Sequence, residues 1–156
     1  MFNIVLVEPE IPPNTGNVGR LCLATQSTLH LIKPLGFSLD DRQLRRAGLD
    51  YWDELEVKMW DSLPALISSR DQQSRCFFAT TKATRPYWEL KFQAGDFLIF
   101  GRETKGLPEN VLRENAESCI TIPMRDTRSL NLATAVAIIL FEGVRQLQLS
   151  GKDGVE

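Results

Sequence analysis

Four segments of this 156-residue chain combine glycines or prolines with hydroxyls, amides and cations, groups that bind ligands. They are residues 12–20 (PPNTGNVGR), 79–85 (ATTKATR), 100–108 (FGRETKGLP) and 122–131 (IPMRDTRSLN). Each of them ends or follows a predicted strand. Because ligands gather beyond the carboxyl ends of parallel strands, we expect the four segments to form one binding crevice.

Three of the segments also have a simpler interpretation. The first is explained equally well as a helix that Asn14 caps and in which Gly16 and Gly19 allow close packing. The second, taken alone, is typical of a solvated loop. Glu103 in the third is either the ion-pair partner of an arginine or a functional anchor. The residues by themselves leave these alternatives open.

Several common catalytic sites are missing from the sequence. His30, the only histidine, stands in an apolar strand, which indicates a packed residue rather than a member of a Ser-His-Asp triad. No group of histidines, cysteines and carboxylates has the spacing of a metal site. A Gly-Lys-Ser/Thr phosphate loop is missing, and so is G-x-G-x-x-G after the first strand. The sequence therefore predicts no metal and disfavours a dinucleotide-binding module.

The elements that must position the four segments alternate between strand and helix. Short apolar and β-branched runs predict strands, while periodicity and capping signals predict helices. The predicted strands are 2–7, 29–32, 55–60, 75–79, 96–100 and 118–122, and the predicted helices are 14–26, 39–47, 62–69, 108–114 and 130–148. This alternation predicts an α/β fold with a mainly parallel sheet flanked by helices.

The last predicted helix carries seven apolar residues without interruption, at 135–141. A helix that is apolar nearly all round is a buried one. We therefore expect this helix in the core, with the polar segment 122–131 held at the edge of that core.

Length and composition indicate one globular domain spanning residues 1–156, with a tail from about residue 150 that we expect to fray. The chain is 43% hydrophobic and 24% charged, which excludes a disordered protein. Its net charge of −2 neither requires nor excludes nucleic acid, so contact with phosphates would need a local basic patch.

Three cysteines, Cys22, Cys76 and Cys119, are far apart and have apolar neighbours, which predicts core residues in a reducing compartment. No stretch is long enough to span a membrane. The N-terminus also lacks the charged region and cleavage site of a signal peptide. These features together predict a cytoplasmic protein.

Three of the segments, taken together, resemble the motifs of a known family. Residues 14–20, 100–108 and 122–132 are similar, in order and spacing, to the three motifs of the SPOUT RNA 2′-O-methyltransferases. Segments 8–13 (EPEIPP) and 45–51 (RRAGLDY) resemble the small branch that methylates cytidine or uridine 34 of tRNA. The resemblance covers almost the whole chain. One departure is Ala133, where close relatives often carry a serine.

This resemblance implies an S-adenosylmethionine-dependent enzyme that methylates the ribose 2′-hydroxyl at the wobble nucleotide of tRNA, with tRNA-Leu isoacceptors expected as substrates. S-adenosylhomocysteine would be the second product, and no metal would take part. The resemblance also implies a homodimer, a C-terminal deep trefoil knot and the anticodon loop as the partner, with no membrane. The implied donor-binding positions are Ala79, Thr80, Gly101, Ile122, Pro123, Met124, Ser129 and Leu130.

Functional polar positions are likewise implied by the resemblance, and they are Asn14, Arg20, Glu103, Ser129 and Asn131. The family's arginine at the position of Arg20 has been considered as a base, but a guanidinium is not readily deprotonated. We therefore expect Arg20 to bind a neighbouring phosphate and the developing negative charge. Arg102 stands at a position that varies in the family and is assigned no role.

RNA binding is expected from cations that border the predicted crevice, namely Arg42, Arg45, Arg46, Lys82, Arg85, Arg125 and Arg128. Each alone is an ordinary surface charge, but as a set they predict an affinity that falls steeply with salt. Candidates for stacking on unpaired bases are Tyr51, Trp52, Tyr87 and Trp88. For each aromatic, packing in the core or in a dimer interface is the alternative.

Two other functions of the same fold remain open from the sequence. One is 2′-O-methylation of another RNA, such as ribosomal RNA. The other is an RNA-binding or assembly factor that has lost catalysis. The small size favours the wobble-nucleotide branch, and the intact polar positions argue against a loss of catalysis.

Overall fold

A computed structural model describes residues 1–149, and for residues 48–51 and 149 it describes the backbone alone. Its strands are β1 (Asn3–Val7), β2 (Thr28–Ile32), β3 (Val57–Trp60), β4 (Cys76–Ala79), β5 (Phe97–Phe100) and β6 (Cys119–Ile120). They form one sheet in the order β3-β2-β1-β5-β4-β6, and every neighbouring pair is parallel. The predicted α/β fold with a parallel sheet is confirmed. The predicted frayed tail, residues 150–156, lies outside the described residues.

The helices are α1 (Pro12–Ala24), α2 (Arg42–Gly48), α3 (Leu63–Ser69), α4 (Glu109–Glu114) and α5 (Leu132–Leu149). Short 3₁₀ turns occur at Leu49–Glu54, Tyr87–Glu89 and Ala116–Ser118. The predicted strands and helices are all present, with small shifts at their ends. No helix in the described part of the chain is long and apolar enough to cross a membrane.

Alternate side chains of the sheet enter two separate hydrophobic cores. On one face, Ile4 of β1 lies in a cluster with Val18 of α1 and Val136 of α5. On the other face, Val5 packs in a cluster with Leu66 of α3. A parallel sheet is covered on both faces, which explains why its strands read as nearly continuous apolar runs.

The prediction that Asn14 caps the first helix is wrong. The helix begins at Pro12, with Ile11 in the cap position and prolines in its first turn. Proline suits this place because its φ is already helical and it has no N–H to satisfy. Asn14 therefore lies inside the first turn, where it is 6% exposed.

The expectation that the last helix is buried all round is wrong for one face. Val136, Ile139 and Leu140 of α5 are buried, but Phe141 is 46% exposed. Seven consecutive apolar residues occupy nearly two turns, so they must point in every direction around the axis. The single chain covers only part of that circumference.

His30 is a packed residue, as predicted, and it links three adjacent strands. Its Nε2 donates to Asn3 Oδ1 of β1 at 2.9 Å, and its Nδ1 accepts from Trp60 Nε1 of β3 at 3.0 Å. Burial lowers the pKa of His30 to about 4, with a further contribution from the charge of Lys58. The imidazole is therefore neutral at physiological pH.

The cysteines are unpaired, in agreement with the prediction of reduced thiols. Cys22 and Cys119 are buried, whereas Cys76 is partly exposed. Burial raises the pKa of all three thiols, to about 12 for Cys22. The thiols are consequently protonated and unreactive near neutral pH.

Candidate active site

A cavity of about 480 Å³ opens at the carboxyl ends of β4, β5 and β6, beside the start of α1. Small-molecule sites in proteins have volumes of roughly 300–1,000 Å³. All four segments singled out in the sequence contribute to its lining, although the first does so through Asn14. The expected crevice is therefore present.

Most of the predicted donor-binding residues line this cavity. They are Ala79, Thr80, Gly101, Ile122, Met124, Ser129 and Leu130, while Pro123 is absent from the lining. Of the predicted polar residues, Asn14, Glu103, Ser129 and Asn131 also line it. Arg20 does not, because it points to solvent from α1. The roles of all these residues stay predictions.

The loop at residues 101–107 forms one wall of the cavity by folding back on itself. Arg102 and Gly106 exchange two backbone hydrogen bonds, of 3.3 and 2.9 Å. A Cβ atom on Gly101 would lie 2.1 Å from the carbonyl carbon of Gly106, so only glycine fits. The close neighbour that requires glycine at position 101 is therefore the protein's own backbone. Gly106 has a positive φ of 66°, which glycine adopts without strain.

Two carboxylates of the segment after β1 fasten this loop from the neighbouring strand. Arg102 donates through Nε and Nη2 to Oε2 of Glu8, at 3.1 and 2.7 Å. Glu10 Oε1 accepts from the amide and the hydroxyl of Thr104, at 3.2 and 2.7 Å. These hydrogen bonds lower the pKa of Glu10. Arg102, to which the sequence assigned no role, therefore holds the loop in place.

Glu103 acts as an external cap for α1. Its Oε2 accepts from the amide of Glu10 at 2.9 Å, and its Oε1 accepts from the amide of Ile11 at 3.0 Å. Amides before and at the start of a helix lack partners within the helix, and a negative charge there is favourable. These contacts of Glu103 are with backbone amides rather than with an arginine, and its functional role stays a prediction.

Asn131 caps α5 and also contacts the first helix. Its Oδ1 accepts from the amides of Ala133 and Thr134, at 2.9 and 3.3 Å. Its Nδ2 donates to Asn14 Oδ1 at 2.9 Å, and Asn14 Nδ2 lies 3.5 Å from Glu103 Oε1. Three of the predicted polar residues therefore form one chain of contacts that joins the starts of α1 and α5.

The sequence did not reveal the partners Glu8, Glu10 and Thr104. The sequence does contain a signal for these contacts. Glu8 and Glu10 are separated by one residue, and so are their partners Arg102 and Thr104. That signal is informative only when β1 and β5 are known to be neighbours. The strand order was not readable from the residues.

The predicted RNA-binding cations are spread over the surface. Lys82 and Arg128 line the cavity. Arg45 is engaged with Asp53 at 3.1 Å and with the carbonyl of Leu39 at 3.2 Å. Of the remaining predicted cations, Arg42, Arg46 and Arg125 are exposed, while Arg85 is partly exposed.

The stacking candidates separate clearly in the structure. Trp52 is 8% exposed and packs against Gly19, where an added Cβ would meet its ring at 3.0 Å. Tyr87 packs partly against the hydrophobic core, whereas Trp88 is 53% exposed. The side chain of Tyr51 lies outside the described residues. Trp88 is thus the exposed aromatic among the three that the structure describes.

Residues 1–141 match the SpoU rRNA Methylase family. A protein of Yersinia pestis named tRNA (cytidine(34)-2′-O)-methyltransferase is 49% identical, over 97% of both chains. The chain belongs to the SpoU methylase family. The family membership that its motifs predicted is therefore confirmed.

Solved structures of this family share the fold. A structure described as giving insights into 2-OH methylation of C/U34 on tRNA superposes with a TM-score of 0.91 and 43% identity, covering 95% of this chain and 97% of its own. The SpoU methyltransferase AviRb of Streptomyces viridochromogenes, in complex with AdoMet, gives a TM-score of 0.83 at 22% identity. That match covers 95% of this chain and 58% of AviRb.

Proposed function

We propose that this SpoU methylase transfers a methyl group from S-adenosylmethionine to the ribose 2′-hydroxyl of nucleotide 34, a cytidine or uridine, in tRNA. The observation that carries the proposal is the cavity, because the three segments that resemble the family motifs meet in it. Similarity over nearly the full length to proteins named for this reaction supports the substrate.

The cavity suits the donor. Apolar side chains such as Leu107, Ile122 and Leu132 line it together with the hydroxyl-bearing residues Thr80 and Ser129. When bound, S-adenosylmethionine supplies a methyl group on a positively charged sulfur. That charge is lost as the methyl group leaves, so apolar side chains beside the sulfur favour the transition state over the ground state. We therefore assign donor binding to this cavity.

The transfer forms a bond from the 2′-oxygen to the methyl carbon, breaks the bond from that carbon to sulfur and releases the hydroxyl proton. Aligning the hydroxyl with the methyl group can contribute about 7–11 kcal/mol. Both carboxylate oxygens of Glu103 already accept backbone amides, so we assign it positioning rather than proton transfer. Arg20 is exposed, and we assign it to an RNA phosphate next to the target.

We further propose that the enzyme acts on tRNA-Leu isoacceptors in the cytoplasm, as a homodimer with a knotted C-terminal region. Phe141, 46% exposed on α5, and the partly exposed Ile138 three residues before it form an apolar surface that supports a protein–protein contact on that helix. Arg20 lies outside the cavity of its own chain, which is consistent with a site completed by RNA and a second copy.

The proposal is tested with purified protein, S-adenosylmethionine and unmodified tRNA-Leu transcripts. We expect one methyl group per tRNA, located at nucleotide 34 by mass spectrometry of nuclease fragments. A matched transcript with 2′-deoxycytidine at position 34 should accept none, because it lacks the attacking oxygen. Methylation of ribosomal RNA in place of tRNA would contradict the proposal that tRNA is the substrate. If the protein binds S-adenosylmethionine but methylates neither RNA, it would instead be an RNA-binding or assembly factor without catalytic activity.

A further inference from the structure

Trp88 is the most exposed of the large hydrophobic residues in the described part of the chain, at 53%. Its ring stands edge-on to that of Tyr87, with centroids 5.3 Å apart and an interplanar angle of 75°. Tyr87 in turn packs against the hydrophobic core. The indole therefore contacts a ring that is itself packed on the core, while the indole stays open to solvent.

The segment that carries Trp88 is hydrogen-bonded to the wall of the donor cavity. The amide of Thr121 donates to the carbonyl of Arg85 at 2.9 Å, and the amide of Tyr87 donates to the carbonyl of Thr121 at 2.9 Å. Thr121 directly follows β6 and lines the cavity. The backbone on the N-terminal side of Trp88 is consequently fixed to the wall of the donor cavity.

Cations and hydroxyls accompany Trp88 on the same segment. Lys82 and Arg85 line a second cavity of about 380 Å³, together with Thr80 and Thr84. Thr80 and Lys82 line the donor cavity as well, so the two cavities adjoin. Lys82 has one ion pair, a 3.5 Å contact with Glu109 between two exposed side chains, which is weak. Groups of this kind suit the phosphate of a nucleic acid.

We propose that Trp88 is the stacking platform for an unpaired base of the RNA substrate, with Lys82 and Arg85 on the adjacent phosphate. Stacking on aromatic rings together with a basic groove is how proteins bind single-stranded nucleic acid. The cations six and three residues before Trp88 in the same segment favour RNA over a second copy of this chain as the occupant. This inference rests on the proposed function and names the surface by which that function recognises its substrate.

The first test compares Trp88→Ala with Trp88→Phe in the methylation assay. Loss of one base stack is worth about 1–3 kcal/mol, so we expect the alanine variant to raise the KM for tRNA by about 5- to 150-fold. The phenylalanine variant should recover most of that loss because it restores an aromatic face. Values of kcat and of the donor Kd should stay unchanged. An unaltered KM in the alanine variant would overturn the inference.

The second test uses tryptophan fluorescence during titration with a tRNA-Leu anticodon stem-loop, so it needs no turnover. We expect quenching in the wild type that is lost in Trp88→Phe. Trp60→Phe is the matched control, because Trp60 lies on β3, at the opposite edge of the sheet from β6. It should keep the quenching.

Sedimentation of Trp88→Ala distinguishes RNA binding from self-association. An unchanged sedimentation coefficient is expected, whereas conversion to a smaller species would place Trp88 in an interface between copies and overturn the inference. If the wild type binds the stem-loop through Trp88 but methylates no tRNA, the proposed function fails and the stacking surface stands.

Discussion

Gly101 and Gly95 are two glycines with opposite physical constraints. Gly101 is confined by the backbone of Gly106 and Leu107, whose nearest atoms would lie 2.1 and 2.2 Å from a Cβ. Gly95 has open space around its Cα but a φ of +89°, which disfavours any residue with a side chain. The pair therefore separates steric exclusion from backbone strain.

Replacing Gly101 with alanine is expected to lower the free energy of unfolding by about 3 kcal/mol or more, because backbone atoms cannot move aside without opening the loop. Donor binding, measured by calorimetry, should be lost with it. Gly95→Ala should cost about 1–2 kcal/mol from strain and leave donor binding intact. A Gly101→Ala protein with normal donor affinity would show that residues 101–107 do not shape the site.

At the scale of elements, the carboxylate of Glu103 connects a loop to two helices. It caps α1 directly and reaches the cap of α5 through the amides of Asn14 and Asn131. Glu8 and Glu10 fasten the same loop to the segment after β1. Glu103, Asn14 and Asn131, for which the resemblance implies functional roles, are here linked in one hydrogen-bonded frame. Such a frame fits a reaction that depends on positioning.

Glu103→Gln is expected to destabilise the protein by about 1–3 kcal/mol, because one of the two capped amides loses its acceptor and a charge is removed from the helix start. Thermal unfolding measures this change. Glu109→Gln is the matched control, since its exposed carboxylate also stands at a helix start, in the first turn of α4, but makes only a 3.5 Å contact with Lys82. It should change stability by less than about 1 kcal/mol.

The Glu103→Gln variant also distinguishes a structural role of Glu103 from a catalytic one. If Glu103→Gln unfolds like the wild type yet loses methyl transfer at saturating donor and tRNA, Glu103 would be a proton acceptor and the anchoring role would be refuted. A parallel loss of stability and donor affinity, with kcat preserved at saturation, is the result that the contacts predict.

At the scale of the molecule, the sheet is joined across three strands by one buried and two partly buried side chains. Asn3, His30 and Trp60 belong to β1, β2 and β3 and form a hydrogen-bonded row. The row depends on a neutral imidazole, with Nε2 donating and Nδ1 accepting. The stability of the whole fold is therefore coupled to the protonation of one residue.

This coupling predicts a loss of stability in acid. The pKa of His30 is lowered from 6.5 to about 4 in the folded protein, so the unfolded chain takes up the proton first as pH falls. The contribution is fully present above about pH 6.5 and is lost progressively towards pH 4, by at most about 3 kcal/mol.

Chemical denaturation across this pH range measures the loss. The lone histidine also gives a single imidazole signal in NMR, which should not titrate above about pH 5. A signal with a midpoint near 6.5 would contradict the buried neutral state. His30→Phe should remove this part of the pH dependence, although it leaves Asn3 and Trp60 without their partner.

The alternation of strands and helices along the chain, and the segments that meet at the cavity, could be predicted from the sequence alone. These follow from local causes: β-branched runs, proline and glycine positions, and the apolar spacing of residues such as Val18 and Cys22. The family was also readable, because its motifs are short and contiguous. The exact start of α1 was missed, because its cap comes from Glu103, 92 residues away from Ile11.

Tertiary structure alone decided which residues of one type are buried and which are exposed. Trp52 and Trp88 have the same side chain, yet one fills the space beside Gly19 and the other faces solvent. The salt bridge between Glu8 and Arg102 likewise exists because β1 and β5, distant in sequence, are neighbours in the sheet. Such contacts depend on strand order, and strand order is set by the packing of the whole chain.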